Sequence, residues 1–210
     1  MLVGLCGRSG SGKGYVSEKF ALCGIPSIDT DAVYRTLTSP SEVLSPCMTE
    51  LVDRFGASVA NTDNSLNRAE MRRLVFGDDR QALEDLNRIT HAHILRETER
   101  IAAELYDAGN EIVIIDAPVL FESGFDKFCR AVIAVTAPEE KIVSRIMRRD
   151  GVTEEAALAR LKTQKPVSEL IKRADYVIVN GGDDDTMEKE IDECVGSLRA
   201  LLTKQNKKGK

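Results

Sequence analysis

GRSGSGKG, residues 7–14, follows a short apolar run, LVGLC at 2–6, and leads into a helical pattern that opens at Lys13. Gly7, Gly10 and Gly12 leave the backbone free to turn its N–H groups to one side, and the start of a helix adds its positive dipole end. A strand, a glycine-rich turn and a helix in that order, closed by Lys, form the phosphate-binding pattern GxxxxGK[ST] with one departure. Gly14 stands where a Ser or Thr hydroxyl is expected to ligate Mg²⁺. The rival GxGxxG dinucleotide fingerprint is not satisfied by these glycines and gives Lys13 no role.

Outward from this loop, apolar runs rich in Val and Ile predict strands over 2–6, 25–29, 111–116, 131–136 and 176–180. Continuous rather than alternating hydrophobicity suits a parallel sheet covered on both faces. Helical patterns lie between them. One runs from 138 to 149, where Thr136 and Glu139 have capping-box spacing; another runs from 184 to 202, with Met187, Ile191, Val195, Leu198 and Leu202 on one face. The fold class is therefore α/β with right-handed crossovers. Two intervals are too long for simple crossovers. Residues 36–109 read as several helices and 139–173 as two or three, both as insertions on a single domain whose core is 1–35, 110–138 and 174–204.

Composition narrows the function. A chain of 210 residues with 42% hydrophobic and 30% charged residues suits one soluble α/β domain rather than a disordered or fibrous chain. No apolar run approaches the ~18 to 20 residues that span a bilayer, and Met1 enters the first strand without a basic flank, which predicts a cytoplasmic location without a membrane partner. The net charge of -5 gives no global attraction to nucleic acid. Five cysteines, none paired as CxxC, argue against a disulfide framework or zinc ribbon and are expected as reduced thiols. The basic segment KQNKKGK at 204–210 reads as a solvated tail.

The chemistry-bearing residues fall at predicted strand ends. IDTDAVYR places Asp29 and Asp31 at the carboxyl edge of the second strand, where open α/β folds bind ligands. One of the two can accept a hydrogen bond from a substrate hydroxyl and take its proton as it attacks a γ-phosphate, and Asp31 is the base candidate. Capping of the following helix is the alternative for either. Asp116 ends the third strand, where a carboxylate supports Mg²⁺ through water, and Glu122 follows on a loop before which Pro118 stops the strand; a turn or cap role is the alternative for each. In SRIMRRDG, Arg145 and Arg149 share a helical face, open to two readings: a solvated charged surface or a lid that neutralises a transferring phosphoryl group. Arg68, Arg72 and Arg73 are candidates for a second anionic group of the acceptor. His91 and His93, two apart on a helix, face differently and do not suit a metal pair.

In this order and spacing, GLCGRSGSGKG, IDTDAVYR, LNRAEMRRLVF, ITHAHI, IDAPVLFESG, SRIMRRDGVT and ADYVIVNG resemble the dephospho-CoA kinases over nearly the whole chain, from Leu2 to about Asp183. The resemblance implies a P-loop kinase fold with sheet order 2-3-1-4-5, a helical acceptor-binding lobe at about 36–109 and a lid at about 139–173. It also implies a reaction, phosphorylation of the ribose 3′-hydroxyl of dephospho-CoA by ATP with Mg²⁺, without specifying an oligomeric state. By that likeness Asp31 is the catalytic carboxylate, Lys13 contacts the β- and γ-phosphates, and Arg149 holds ATP from the lid. The implied ATP site comprises Gly10, Ser11, Gly12, Lys13, Gly14, Tyr15, Arg145 and Asn180; Arg35, Arg72 and His91 join Asp31 on the acceptor side. Gly14 and Tyr15 replace the usual Ser-Thr pair, and Ala92 replaces a Pro after the motif His. Adenylate kinases also resemble this chain in having Gly after the loop Lys, so weaker metal affinity is expected rather than a dead site. Two other readings stay open: a P-loop kinase for another small acceptor such as a nucleoside monophosphate, and a non-catalytic nucleotide or coenzyme A sensor.

Overall fold

A computed structural model of the chain describes residues 1–77, 79–182 and 184–208. Asp183, at the end of the family-like stretch, and the last two residues of the basic tail lie outside them. Five parallel strands form one sheet in the order β2-β3-β1-β4-β5. β1 (Leu2–Gly7) lies between β3 (Val113–Asp116) and β4 (Ala131–Thr136), pairing Leu5 with Asp116 on one side and Gly7 with Val135 on the other. β2 (Ser27–Asp29) and β5 (Tyr176–Val179) are the edges. The expected sheet order and all five strands are present, the second shorter than its apolar run.

Four of the five strands pass into helices, and β3 passes through turns and a short 3-10 segment, Phe125–Phe128, into β4. α1 (Lys13–Leu22) follows β1, and α2 (Thr30–Leu37) follows β2. After β4 come three helices, α6 (Glu139–Asp150), α7 (Glu154–Lys162) and α8 (Val167–Arg173), and α9 (Asp184–Lys208) follows β5. Between β2 and β3 stand α3 (Pro46–Phe55), α4 (Arg68–Val75) and the long α5 (Ala82–Asp107).

The sheet core is built from the predicted apolar positions. Val3, Leu5, Ile114, Ile133 and Ile178 are closed off from solvent by Val16 and Phe20 of α1 and by Met187, Ile191, Val195 and Leu198 of α9. A second cluster joins Ile142, Val143 and Ile146 of α6 to Ala157 and Leu161 of α7. Two expectations are corrected. The capping box does not form: Thr136 ends β4 and Glu139 is the first residue of α6, whose N-cap is Pro138 without a side-chain bond. Thr136 is committed to the ladder, where its carbonyl accepts from the Asn180 N–H at 2.7 Å. Nor is the sheet covered throughout, because Val177 and Val179 on the edge strand β5 remain 36% and 42% exposed.

The chain divides into two compact units, one of residues 1–28 and 104–210, the other of residues 29–103. The second has its own small core, in which Cys47, Met48 and Leu51 of α3 pack with Val59, Leu66, Met71 and Ile89. No described helix is long and apolar enough to cross a membrane.

Candidate active site

Between β1 and α1 the backbone turns tightly: the Ser11 N–H donates to the Arg8 carbonyl at 3.0 Å, and Gly10 and Gly12 adopt φ of 81° and 92°. Glycine is required here by neighbours as well as by the turn. A Cβ on Gly12 would lie 2.0 Å from Asn180 Nδ2, and one on Gly7 2.5 Å from the Val135 carbonyl oxygen. Gly12 is the N-cap of α1, so no side chain caps the first turn, which also carries no acidic residue. The leading amides of this helix therefore keep their positive end available to an anion.

Lys13 reaches from the start of α1 to the end of β3, where its Nζ donates to Asp116 Oδ1 at 2.6 Å. Both side chains are largely buried, 15% and 14% exposed, so the pair neutralises two charges that would be costly alone. Asp116, expected to support Mg²⁺, is here the partner of Lys13.

Arg145 of α6 touches the loop from outside. Its Nη1 lies 3.3 Å from both the Gly10 and Ser11 carbonyls, while Nη2 donates to Asn180 Oδ1 at 2.7 Å. Arg145 thus holds two of the loop's carbonyls, while the Ser11 N–H is taken by the Arg8 carbonyl inside the turn. Asn180, immediately after β5, is thus locked between Arg145 and Gly12.

The first residues of the loop also join the three-helix segment. Arg8 donates to the Leu161 carbonyl in the last turn of α7, the Ser9 N–H donates to Gln164 Oε1 at 3.0 Å, and Arg149 Nη2 donates to Ser9 Oγ at 3.1 Å. Arg149 is in turn forked onto Asp150, Nε to Oδ1 at 2.8 Å and Nη2 to Oδ2 at 2.9 Å, and Arg160 donates to the same carboxylate. The Arg149 hydrogen bonds, with help from Arg160, pull the Asp150 carboxyl down to about 2. Arg8, Ser9, Gln164 and Asp150 were not expected here. The loop residues meet their partners across 140 to 155 residues of sequence, and only the Asp that adjoins the arginines in MRRD offered a local signal.

Gly14, by contrast, is exposed, and a Cβ placed on it would meet nothing within 4 Å. Tyr15 packs partly buried against the sheet core, with Lys19 Nζ 5.3 Å from its ring centre.

Asp31, Arg35, Arg72 and His91 belong to the unit of residues 29–103. Asp29 is the N-cap of α2: its Oδ1 accepts from the Asp31 and Ala32 N–H groups at 2.8 and 3.1 Å, and its Oδ2 from Arg35 at 3.3 Å. The capping role falls to Asp29, and Asp31 stands in the first helical turn with its carboxylate outside the cap. Arg72 is exposed on α4, beside Arg73, which pairs with Glu70; Arg68 lies 5.5 Å from the Tyr34 ring centre. Burial lowers the His91 pKa from 6.5, so its imidazole is neutral at pH 7. His93 is buried on α5, its Nε2 3.1 Å from Glu50 Oε1 but not aligned for a hydrogen bond. Among the described residues no group of three or more His, Cys, Asp or Glu could hold a metal ion.

A parallel sheet of this strand order, with a glycine-rich loop and Lys at the start of α1, defines a P-loop kinase. Two solved structures share the fold: TT1252 from Thermus thermophilus, with a TM-score of 0.74 at 30% identity over 96% of this chain and 97% of that one, and shikimate kinase from Bacteroides thetaiotaomicron, with 0.54 at 13% over 95% and 98%. The model of the dephospho-CoA kinase family matches residues 1–185. The dephospho-CoA kinase of Syntrophotalea carbinolica is 39% identical over 202 residues, covering 96% of this chain and 92% of the relative. The chain belongs to the dephospho-CoA kinase family, ATP-dependent phosphotransferases acting on dephospho-CoA in coenzyme A biosynthesis.

Proposed function

We propose that the chain transfers the γ-phosphoryl group of ATP to the ribose 3′-hydroxyl of dephospho-CoA, giving coenzyme A and ADP. The observation that carries this reading is the uncapped, acid-free start of α1 behind a glycine loop whose carbonyls are already taken by Arg145. Loop amides and Lys13 then receive the β- and γ-phosphates, Lys13 exchanging Asp116 for phosphate oxygens. Asp31 accepts the proton of the 3′-hydroxyl as its oxygen bonds to the γ-phosphorus and the bond to the ADP oxygen breaks. Arg149 offsets charge on the transferring group from the segment 139–173, which acts as a lid, while Arg145 and Asn180 shape the ATP side. Arg35, Arg72 and the neutral imidazole of His91 hold the acceptor, in the helical lobe.

Mg²⁺ fits this site as a companion of the nucleotide. The described residues offer no cage of their own, and Gly14 supplies no oxygen, but this ion keeps several waters and binds largely through substrate phosphates. When bound it neutralises phosphate charge; Asp116 is the carboxylate placed to support its waters. A cytoplasmic location is part of the same reading.

ADP release measured with dephospho-CoA, AMP and shikimate as acceptors tests the proposal. Dephospho-CoA is expected to give the highest kcat/KM, and Asp31→Asn to lower kcat by about 10² to 10⁴ with the ATP KM little changed. Faster turnover with AMP, or ligand binding without any ADP release, overturns it.

A further inference from the structure

Asp150 is out of place by the rules of an isolated helix. It is the last residue of α6, at the negative end of the helix dipole, where a carboxylate is disfavoured and Lys or Arg is expected. Its surroundings say why it stands there. The carboxylate takes both arms of the neighbouring guanidinium, Arg149 Nε on Oδ1 at 2.8 Å and Nη2 on Oδ2 at 2.9 Å, and Arg160 of α7 closes on Oδ2 from the other side. A two-point fork fixes a guanidinium plane in a way that one contact does not. The same Nη2 of Arg149 reaches Ser9 Oγ, so the fork aims this arginine at the phosphate loop.

Exposure supports a positioning purpose over a stabilising one. The Arg149 side chain is 57% exposed and Arg160 45%, conditions in which an ion pair adds little to folding. Left alone, Arg149 would sample many rotamers in water, and each catalytic cycle would have to order it again. Gly151, at φ 65°, ends α6 directly after Asp150 and turns the chain toward α7, bringing Arg160 onto the same carboxylate.

The geometry points to Asp150 as a positioning residue for phosphoryl transfer, acting by holding the Arg149 guanidinium over the phosphate loop with Arg160 as its second anchor. This inference rests on the reading of Arg149 as the lid arginine that meets ATP. In this role Asp150 acts on the guanidinium it holds, not on the substrate. Its effect must therefore pass through Arg149 and vanish when Arg149 is gone.

A double-mutant cycle read by steady-state kinetics tests this. Arg149→Ala is expected to lower kcat/KM for ATP by about 100-fold, Asp150→Ala by about tenfold and Asp150→Asn by less, since a neutral acceptor keeps part of the fork. The KM for dephospho-CoA should move by less than about twofold, and Asp150→Ala placed on Arg149→Ala should cost less than about twofold more. If Arg149→Ala is impaired while Asp150→Ala and Asp150→Asn are as active as the wild type, or if the two losses multiply, the positioning role is overturned and the lid reading survives. If Arg149→Ala alone keeps full activity, the lid reading fails, and the role of Asp150 falls with it. Circular dichroism of each variant guards against misfolding; should Asp150→Ala not fold, Asp150→Asn must still show a loss that disappears in the Arg149→Ala background.

Discussion

The two compact units differ in how far along the chain their charged groups are tied down. In the unit that carries the phosphate loop, contacts reach far along the chain: Lys13 to Asp116, Arg145 to the Gly10 and Ser11 carbonyls, Arg8 to the Leu161 carbonyl, Arg149 to Ser9. In the unit of residues 29–103, the pairs of Arg73 with Glu70, Arg88 with Asp85, Arg100 with Glu97 and Arg35 with Asp29 join residues three to six apart, while Arg54 with Asp79 and Asp85, and His93 beside Glu50, reach further. Local pairs on exposed helices contribute little and reorganise cheaply, whereas a loop held through its own carbonyls keeps its shape before any ligand arrives. The difference fits a loop whose shape is set in advance in one unit, and a helical unit whose charged surface reorganises at little cost in the other.

The hardest test of that contrast is to break the loop where it is most constrained. Gly12→Ala places a Cβ 2.0 Å from Asn180 Nδ2 on a residue at φ 92°. A left-handed conformation costs a non-glycine residue about 1 to 3 kcal/mol before any clash. The ATP KM is therefore expected to rise by at least about tenfold, with further loss as Asn180 is pushed away from Arg145. Combining Gly12→Ala with Asn180→Ala should recover only the steric share. Full recovery would mean that the φ of Gly12 carries no cost, and the loop would be less constrained than its contacts indicate.

A smaller effect is expected in the helical unit, where His91 is the titratable group to watch. Burial lowers its pKa, so below the unfolded value of 6.5 the unfolded chain takes up a proton before the folded one does. Stability from this site is complete above pH 6.5 and declines as the pH falls from there toward the lowered folded value. His91→Gln, which cannot take up that proton, should therefore lose less of its thermal midpoint than the wild type between about pH 7.5 and about pH 5.5. Equal losses in the two proteins would show that His91 is not set apart from water as its burial implies.

Much of this architecture was legible in the sequence. Apolar runs marked all five strands: β1, β3 and β4 are buried on both faces and show no polar alternation, and the edge strand β5 keeps its Val and Ile although part of it is exposed. The loop glycines marked the tight turn and the uncapped start of α1, and the two acidic residues of IDTD were rightly paired with a cap as one alternative; which of them takes it depended on where α2 begins. The capping box at Thr136 and Glu139 failed because its spacing is local while Thr136 was already committed to the sheet through Asn180. Gln164 and Ser9 could not have been matched, since they meet across 155 residues and neither stands in a pattern with a mechanism of its own. Sequence reading captured what neighbours along the chain decide. The grip on the loop is decided by the fold.

The mildest test concerns Gly14, the one glycine of the loop region that nothing holds. Its Cβ would meet no atom within 4 Å, and its φ is not in the left-handed region, so Gly14→Ser can be accommodated without displacing Lys13 or Tyr15. Serine is a better helix former than glycine by about half a kcal/mol, which for a chain of this size is about 1 to 2 °C in thermal midpoint. The added hydroxyl also supplies the oxygen that the loop otherwise lacks beside the nucleotide phosphates. Gly14→Ser is therefore expected to lower the Mg²⁺ concentration giving half-maximal rate, by about two- to tenfold if the oxygen is worth one hydrogen bond. A raised thermal midpoint with an unchanged Mg²⁺ dependence would separate the two effects. It would place the work of holding the ion wholly with the nucleotide, water and Asp116, and leave Gly14 as a position where the helix tolerates glycine rather than one where catalysis lacks a ligand.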